Sequence, residues 1–198
     1  MMMLYTLFLI LISYFFGGLN AAILLCKIKG CPDPRLGGSK KPGTTNILRL
    51  HNPQAASIVF LFDLLKWVIP VYAAYFLDLS PYTIGMVGIA ACLGHIFPPY
   101  FQFKGGKAVA TGLGTLLPLG SDMMGLIVIT WLVSIAITGY ASLAAIITAI
   151  AAPFFVFFIK PLYLDPVIMQ SILILIRHIG NVRRLLTGKE KKILNWRH

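Results

Sequence analysis

Three short segments of this 198-residue chain place glycine, basic residues and hydroxyl or amide side chains close enough together to hold a phosphate. The first runs Gly37-Gly38-Ser39-Lys40-Lys41-Pro42-Gly43-Thr44-Thr45-Asn46, with Arg49 three residues further on. Glycine lets the backbone approach an anion and aim successive N–H groups at it, while Ser, Thr and Arg add donors. The GxxxxGK[ST] spacing of a nucleotide-binding loop is absent. A flexible basic loop that only enforces topology fits the same composition. The second segment is His95-Ile96-Phe97-Pro98-Pro99-Tyr100-Phe101-Gln102-Phe103-Lys104-Gly105-Gly106-Lys107. Its two lysines flank a glycine pair at the expected start of a helix, where free N–H groups favour an anion. The aromatic residues before it suit an acyl chain or an interfacial belt. The third segment opens with His178 and Asn181, three apart and so on one helix face. Its basic run, Arg183, Arg184, Lys189, Lys191 and Lys192, suits a position on anionic lipid better than a site.

Other polar residues say less by themselves. Asp63 and Lys66 stand at i and i+3 inside an apolar run, where an isolated charge costs about 2.5–3.5 kcal/mol, so each is expected to pair with the other. Ser142, just after Gly139-Tyr140, reads as a helix cap. Cys26, Cys31 and Cys92 are an odd number without a CxxC pair, and read as apolar fillers or free thiols. No Cys/His grouping has zinc spacing, and none of His51, His95, His178 and His198 belongs to HExxH. Neither metal nor cofactor is expected.

The elements that must position these groups are membrane helices. The chain is 58% hydrophobic and 12% charged, with mean hydropathy +0.84, a balance no water-facing surface carries. Seventeen Lys and Arg against six acids give a formal charge of +11. On polar segments such an excess would suggest nucleic acid, but basic and aromatic residues do not interleave there. Apolar runs at 4–26, 53–77, 82–101, 107–119, 122–138, 141–159 and 163–177 predict an all-α integral membrane protein of about seven spans. Five or six are left open, because the fourth run is short, broken by Gly112, Gly114 and Pro118, and fits a half-span or a tilted, packed helix. The first lacks a basic n-region and a cleavage site, and reads as a retained span. A single polytopic domain, 1–198, then carries a basic loop at 27–52 and a basic tail at 178–198. With alternating spans, 15 of the 17 basic residues fall on one side. The positive-inside rule makes that side, and the C-terminus, cytoplasmic, with the N-terminus outside.

Taken in order, these segments resemble the bacterial membrane glycerol-3-phosphate acyltransferases that use acyl phosphate as donor. The resemblance rests on His95-Ile-Phe-Pro98 … Lys104-Gly105-Gly106-Lys107-x-Val109-Ala110-Thr111. It extends to Gly38-Ser39 … Gly43-x-Thr45-Asn46 … Arg49 and to His178-x-x-Asn181 … Arg184-Leu185-Leu186-x-Gly188. Ser13-Tyr14, Asp63-x-x-Lys66 and Tyr140-x-Ser142 also match, so nearly the whole chain is covered.

The resemblance implies acyl transfer from acyl phosphate to the 1-hydroxyl of glycerol 3-phosphate, giving lysophosphatidic acid and inorganic phosphate. It implies a glycerol-3-phosphate site of Arg49, Lys104, Ser142, His178 and Asn181, with Lys104 as the catalytic cation. Gly38, Ser39, Gly43, Thr45, Asn46, Gly105, Gly106 and Lys107 would embrace the acyl-phosphate head. His95 would be a catalytic or supporting member. The partners are then the two substrates and membrane lipid, not nucleic acid, and the protein is expected to act as a monomer in the bacterial inner membrane.

No carboxylate stands five residues beyond His95 or His178, where Tyr100 and Arg183 are found, so a His-Asp dyad is not expected and a substrate phosphate would accept the proton. Three positions depart from the family pattern. Lys40-Lys41 stands where Gly-Asn is common, Ala108 where Gly is, and Gly17-Gly18-Leu19-Asn20 where Gly-Ser-x-Pro is. A transporter for an anionic solute is the alternative, but it calls for an ionisable path to the far face or repeated halves, and this chain has neither.

Overall fold

Apolar runs without water to satisfy their backbone must close their hydrogen bonds internally, and these do so as helices. A computed structural model describes residues 2–193, and every regular element among them is helical. Arg197 and His198 of the basic tail lie outside the described residues. The chain divides after Pro118 into two compact units.

The first unit holds α1 (Met2–Gly18), α2 (Ala21–Lys29), α3 (Thr44–Leu50), α4 (Pro53–Leu65), α5 (Val68–Phe76), α6 (Pro81–Ile96) and α7 (Val109–Thr115). Its main contact is α1 along α6. Small residues let these backbones touch, since a Cβ on Gly17 would strike the Ala91 backbone and one on Gly94 the Tyr14 backbone. Ser13 Oγ donates to Val87 O across the same crossing at 2.7 Å, and Tyr14 Oη to Phe97 O at 2.8 Å.

Between α1 and α2 the chain bends by 43°. Asn20 caps α2, its side-chain oxygen accepting from Ile23 N–H at 3.2 Å. A broken helix in an apolar setting is tolerated only where its freed backbone groups find partners. Lys66 Nζ donates to Leu19 O at 2.9 Å, and Asp63 Oδ1 accepts from Ala21 N–H at 3.5 Å. The same two side chains pair at 3.0 Å, both buried. The expected Asp63–Lys66 pair is present, and it also closes the break.

The second unit holds α8 (Ser121–Thr138), α9 (Ala141–Ile159), α10 (Leu164–Arg177) and α11 (Ile179–Leu186). α9 packs between α8 and α10. A bend of 52° at His178 separates α10 from α11.

Four described helices are long and apolar enough to cross a membrane: Pro53–Phe76, Pro81–Phe101, Ser121–Thr138 and Ala141–Ile159. Counting the bent pairs Met3–Gly18 with Ala21–Lys29 and Pro161–Arg177 with Ile179–Leu186 as single spans gives six. The run at 107–119 is the short one expected from its glycines. It forms only α7 and a short 3-10 turn, Val109–Leu119, which at about 1.5 Å per residue covers about half of the hydrocarbon thickness.

Candidate functional site

In the first unit the glycine-rich loop is folded on one side chain. Asn46, buried in α3, donates from Nδ2 to Pro34 O at 2.8 Å and to Gly37 O at 3.3 Å, and its Oδ1 accepts from Ser39 N–H at 2.7 Å. Gly38 turns there at φ 57°, and a Cβ on it would strike Asn46 Oδ1. Lys40 is also left-handed, at φ 56°, where its N–H closes a turn to Gly37 O at 2.9 Å. Gly43 precedes α3 in extended backbone, and Thr45 and Arg49 are half-buried on the helix that follows.

Arg35 ties this loop to the second segment. Asp33 holds its guanidinium with both carboxylate oxygens at 2.6–3.0 Å, and Nη1 donates to Phe101 O at 3.0 Å. The Arg35 hydrogen bonds keep the Asp33 carboxyl below its ordinary value.

The Lys104–Lys107 turn is tightly determined. Gln102 and Phe103 before it and Ala108 after it are all left-handed, at φ 57°, 57° and 59°. Such a conformation costs an ordinary residue about 1–2 kcal/mol and gathers at functional sites. Gly105 N–H bonds to Ile96 O at 3.2 Å and Gly106 N–H to His95 O at 3.1 Å. A Cβ on Gly105 would strike His95 O, and one on Gly106 would strike His95 Nε2 and come within 2.6 Å of Pro42 O. The turn is therefore wedged between the His95 residue and the end of the first loop. Lys104 is exposed and Lys107 half-buried on either side of the buried glycine pair.

His95 itself is buried against the ion pair. Lys66 Nζ lies 3.0 Å from its Nδ1, and Asp63 Oδ1 lies 3.6 Å from the same nitrogen, beyond hydrogen-bond reach. An ammonium can only donate, so Nδ1 accepts and the neutral ring carries its proton on Nε2. With Leu19 O, Asp63 and His95 as acceptors, all three Lys66 protons are committed. Sequence order could not bring Asp63 to His95, 32 residues away.

In the second unit the tail residues gather on an acid that the motifs did not single out. Glu190 Oε1 accepts from Ser142 Oγ at 2.8 Å and Asn181 Nδ2 at 2.7 Å, and Oε2 from Arg184 Nε at 2.7 Å. Glu190 N–H returns to Arg184 O at 3.1 Å. Burial opposes its charge, but these three donors and the Arg184 cation outweigh it and hold the carboxyl below its ordinary value. His178 is buried, with Nδ1 donating to Ile174 O at 2.8 Å, which fixes the acceptor of the neutral ring at Nε2. Just beyond, Lys192 lies 5.6 Å over the Tyr140 ring and Ile193 N–H bonds to Gly139 O at 2.8 Å, docking the tail on the start of α9.

Residues 7–188 match the family model for glycerol-3-phosphate acyltransferase. The chain is 52% identical to the glycerol-3-phosphate acyltransferase of Colwellia psychrerythraea over 97% of its length and 98% of the relative's. It is 50% identical to that of Aliivibrio salmonicida, over 94% and 97%. Among solved structures it superposes on PlsY, an integral membrane glycerol 3-phosphate acyltransferase, in its glycerol 3-phosphate form, with TM-score 0.89 and 34% identity over 94% of each chain. The lysophosphatidic acid form of PlsY gives TM-score 0.86 and 33% identity over the same shares.

Proposed function

This chain belongs to the glycerol-3-phosphate acyltransferase family, and from that membership we propose that it acylates the 1-hydroxyl of glycerol 3-phosphate from acyl phosphate. The products are lysophosphatidic acid and inorganic phosphate, formed for phospholipid biosynthesis at the cytoplasmic face of a bacterial inner membrane. The observation that carries the reading is the Lys104-Gly105-Gly106-Lys107 turn. Two cations flank a glycine pair with no room for a side chain, held in place by left-handed residues on both sides. The two glycine N–H groups are already bonded to Ile96 O and His95 O, so the lysine side chains are the donors this turn offers to phosphate oxygens.

In the reaction the 1-hydroxyl oxygen attacks the acyl carbon and the carbon–oxygen bond of the mixed anhydride breaks. The departing phosphate accepts the hydroxyl proton. Because that leaving group is good, the chain's work is to hold two anions together and neutralise the charge that develops. We assign Gly38, Ser39, Gly43, Thr45, Gly105, Gly106 and Lys107 to the acyl-phosphate head. Asn46 serves that head through the loop it folds, since its amide is committed to Pro34, Gly37 and Ser39. Arg49 and Lys104 take the phosphate of glycerol 3-phosphate. Ser142, His178 and Asn181 are assigned to glycerol 3-phosphate as well, Ser142 and Asn181 while also donating to Glu190.

His95 is read as a positioning residue. A histidine base in a His-Asp dyad donates from Nδ1 to its carboxylate. Here Nδ1 faces the Lys66 ammonium instead, which supports a reaction without a protein dyad. The test is an assay of the purified protein with acyl phosphate and glycerol 3-phosphate, in detergent and in lipid. Phosphate and lysophosphatidic acid should appear in equal amounts, and absence of both would sink the reading. A His95→Ala protein that bound both substrates normally yet lost nearly all turnover would restore a histidine base.

A further inference from the structure

Three soft ligands converge where the first loop leaves and rejoins the helices. Cys26 faces inward from α2, buried beside Ala22, Ile47 and Val59. Gly30 then turns the chain at φ 65°, and Cys31 N–H bonds back to Cys26 O at 3.0 Å, so the second cysteine folds over the first. From the other end of the loop, His51 follows α3 with its Nε2 at 3.6 Å from Cys26 Sγ. One ligand atom from each of Cys26, Cys31 and His51 lies within 4.8 Å of the other two.

A tetrahedral zinc ion, with sulfur at about 2.3 Å and nitrogen at about 2.0–2.1 Å, separates a sulfur from a nitrogen ligand by about 3.6 Å. We propose that Cys26, Cys31 and His51 bind a divalent cation of the zinc type, which clasps the loop that carries Gly38 to Arg49. Two thiols and an imidazole are the donor set that selects such an ion over magnesium or calcium. A disulfide between the cysteines would leave the histidine without a part in the arrangement. Asp33, the one acid of the loop, holds Arg35 with both oxygens, so water completes the fourth position. Cys31 and His51 are only half-buried, which gives the ion a way in. The spacing of these residues matches no familiar zinc pattern, because the two ends of a folded loop supply the ligands. Each thiol that binds releases its proton to solvent, so binding weakens at low pH.

The experiment titrates the purified, reduced, metal-stripped full chain with Co²⁺ and then Zn²⁺. One Co²⁺ per chain should bind with a sulfur-to-cobalt charge-transfer band that Zn²⁺ abolishes. The band should be lost in Cys31→Ser, lose its one-equivalent end point in His51→Ala, and persist in Cys92→Ser. Saturating Zn²⁺ should also slow tryptic cleavage after Lys40, and Cys31→Ser should remove that protection. Thermal unfolding of the metal-free Cys31→Ser and His51→Ala proteins, matched against the metal-free parent, separates a lost ligand from a lost fold. Absence of the band in the parent, or a band and protection that survive Cys31→Ser, would overturn the site.

Discussion

A single methyl group at Gly106 is enough to push the Lys104–Lys107 turn off His95 and Pro42. Gly106→Ala should therefore lower kcat/KM by about 10²-fold, the scale of a misplacement near 1 Å, while the protein still inserts and folds. Steady-state kinetics on the purified variant check this. At Ala108 the effect has the opposite sign. A left-handed alanine is strained, so Ala108→Gly should stabilise the protein by about 1 kcal/mol after the added chain entropy is counted, read from thermal unfolding in detergent. Two of the three departures from the family's pattern, Lys40 and Ala108, fall on left-handed backbone where glycine would be unstrained. The third has its own compensation, since Asn20 caps α2 through its side chain. At this scale the sequence showed which residue types could meet phosphate. It could not show that Asn46 is occupied with the loop, because an amide that binds and an amide that braces look alike in a motif.

The Asp63–Lys66 pair belongs to a helix break as much as to a helix. Lys66→Met removes the donor to Leu19 O and His95 and leaves Asp63 buried without its cation, so it should cost about 3–5 kcal/mol. Adding Asp63→Leu should recover part of that loss, and a double-mutant cycle on unfolding free energies measures the coupling. The i, i+3 spacing made the pair legible, but its partners at Leu19 and His95 lie 47 and 29 residues away and were not. Glu190 plays the corresponding part for the tail. Its folded carboxyl titrates below the ordinary 4.5, so its contribution is full above that pH and is lost as pH falls through the lower folded value. Docking of residues 188–193 on α9, followed by proteolysis of the tail, should weaken below about pH 4. In Glu190→Gln that dependence should vanish. A lone acid after a basic run gave no hint of this, because its three donors come from α9 and α11.

At the scale of the whole chain, apolar length and basic loops identified a helical membrane protein, yet hydropathy alone could not say which short run crosses. Val109–Leu119 decides the matter. The cytoplasmic placement proposed for both the first loop and the tail requires this short segment to pass from one face to the other, through locally thinned bilayer or at membrane depth within protein. A membrane-impermeant amine reagent should then label Lys104 and Lys189 only in inside-out vesicles, and Lys160 only in right-side-out ones. Labelling of Lys104 and Lys189 from opposite sides would reduce the chain to six crossings.

The bend at Leu19-Asn20 also has a consequence for biosynthesis. Its open carbonyl and amide are satisfied by side chains that the ribosome makes more than forty residues later. When the first hydrophobic segment reaches the translocon, neither Lys66 nor Asp63 exists, and the bent form would leave bare backbone groups in lipid. The first segment must wait in water or at the interface, or enter straight and bend once the Pro53–Phe76 helix arrives. Either way, insertion of the first two hydrophobic segments is a joint event, with a buried cation delivered by the second as its latch.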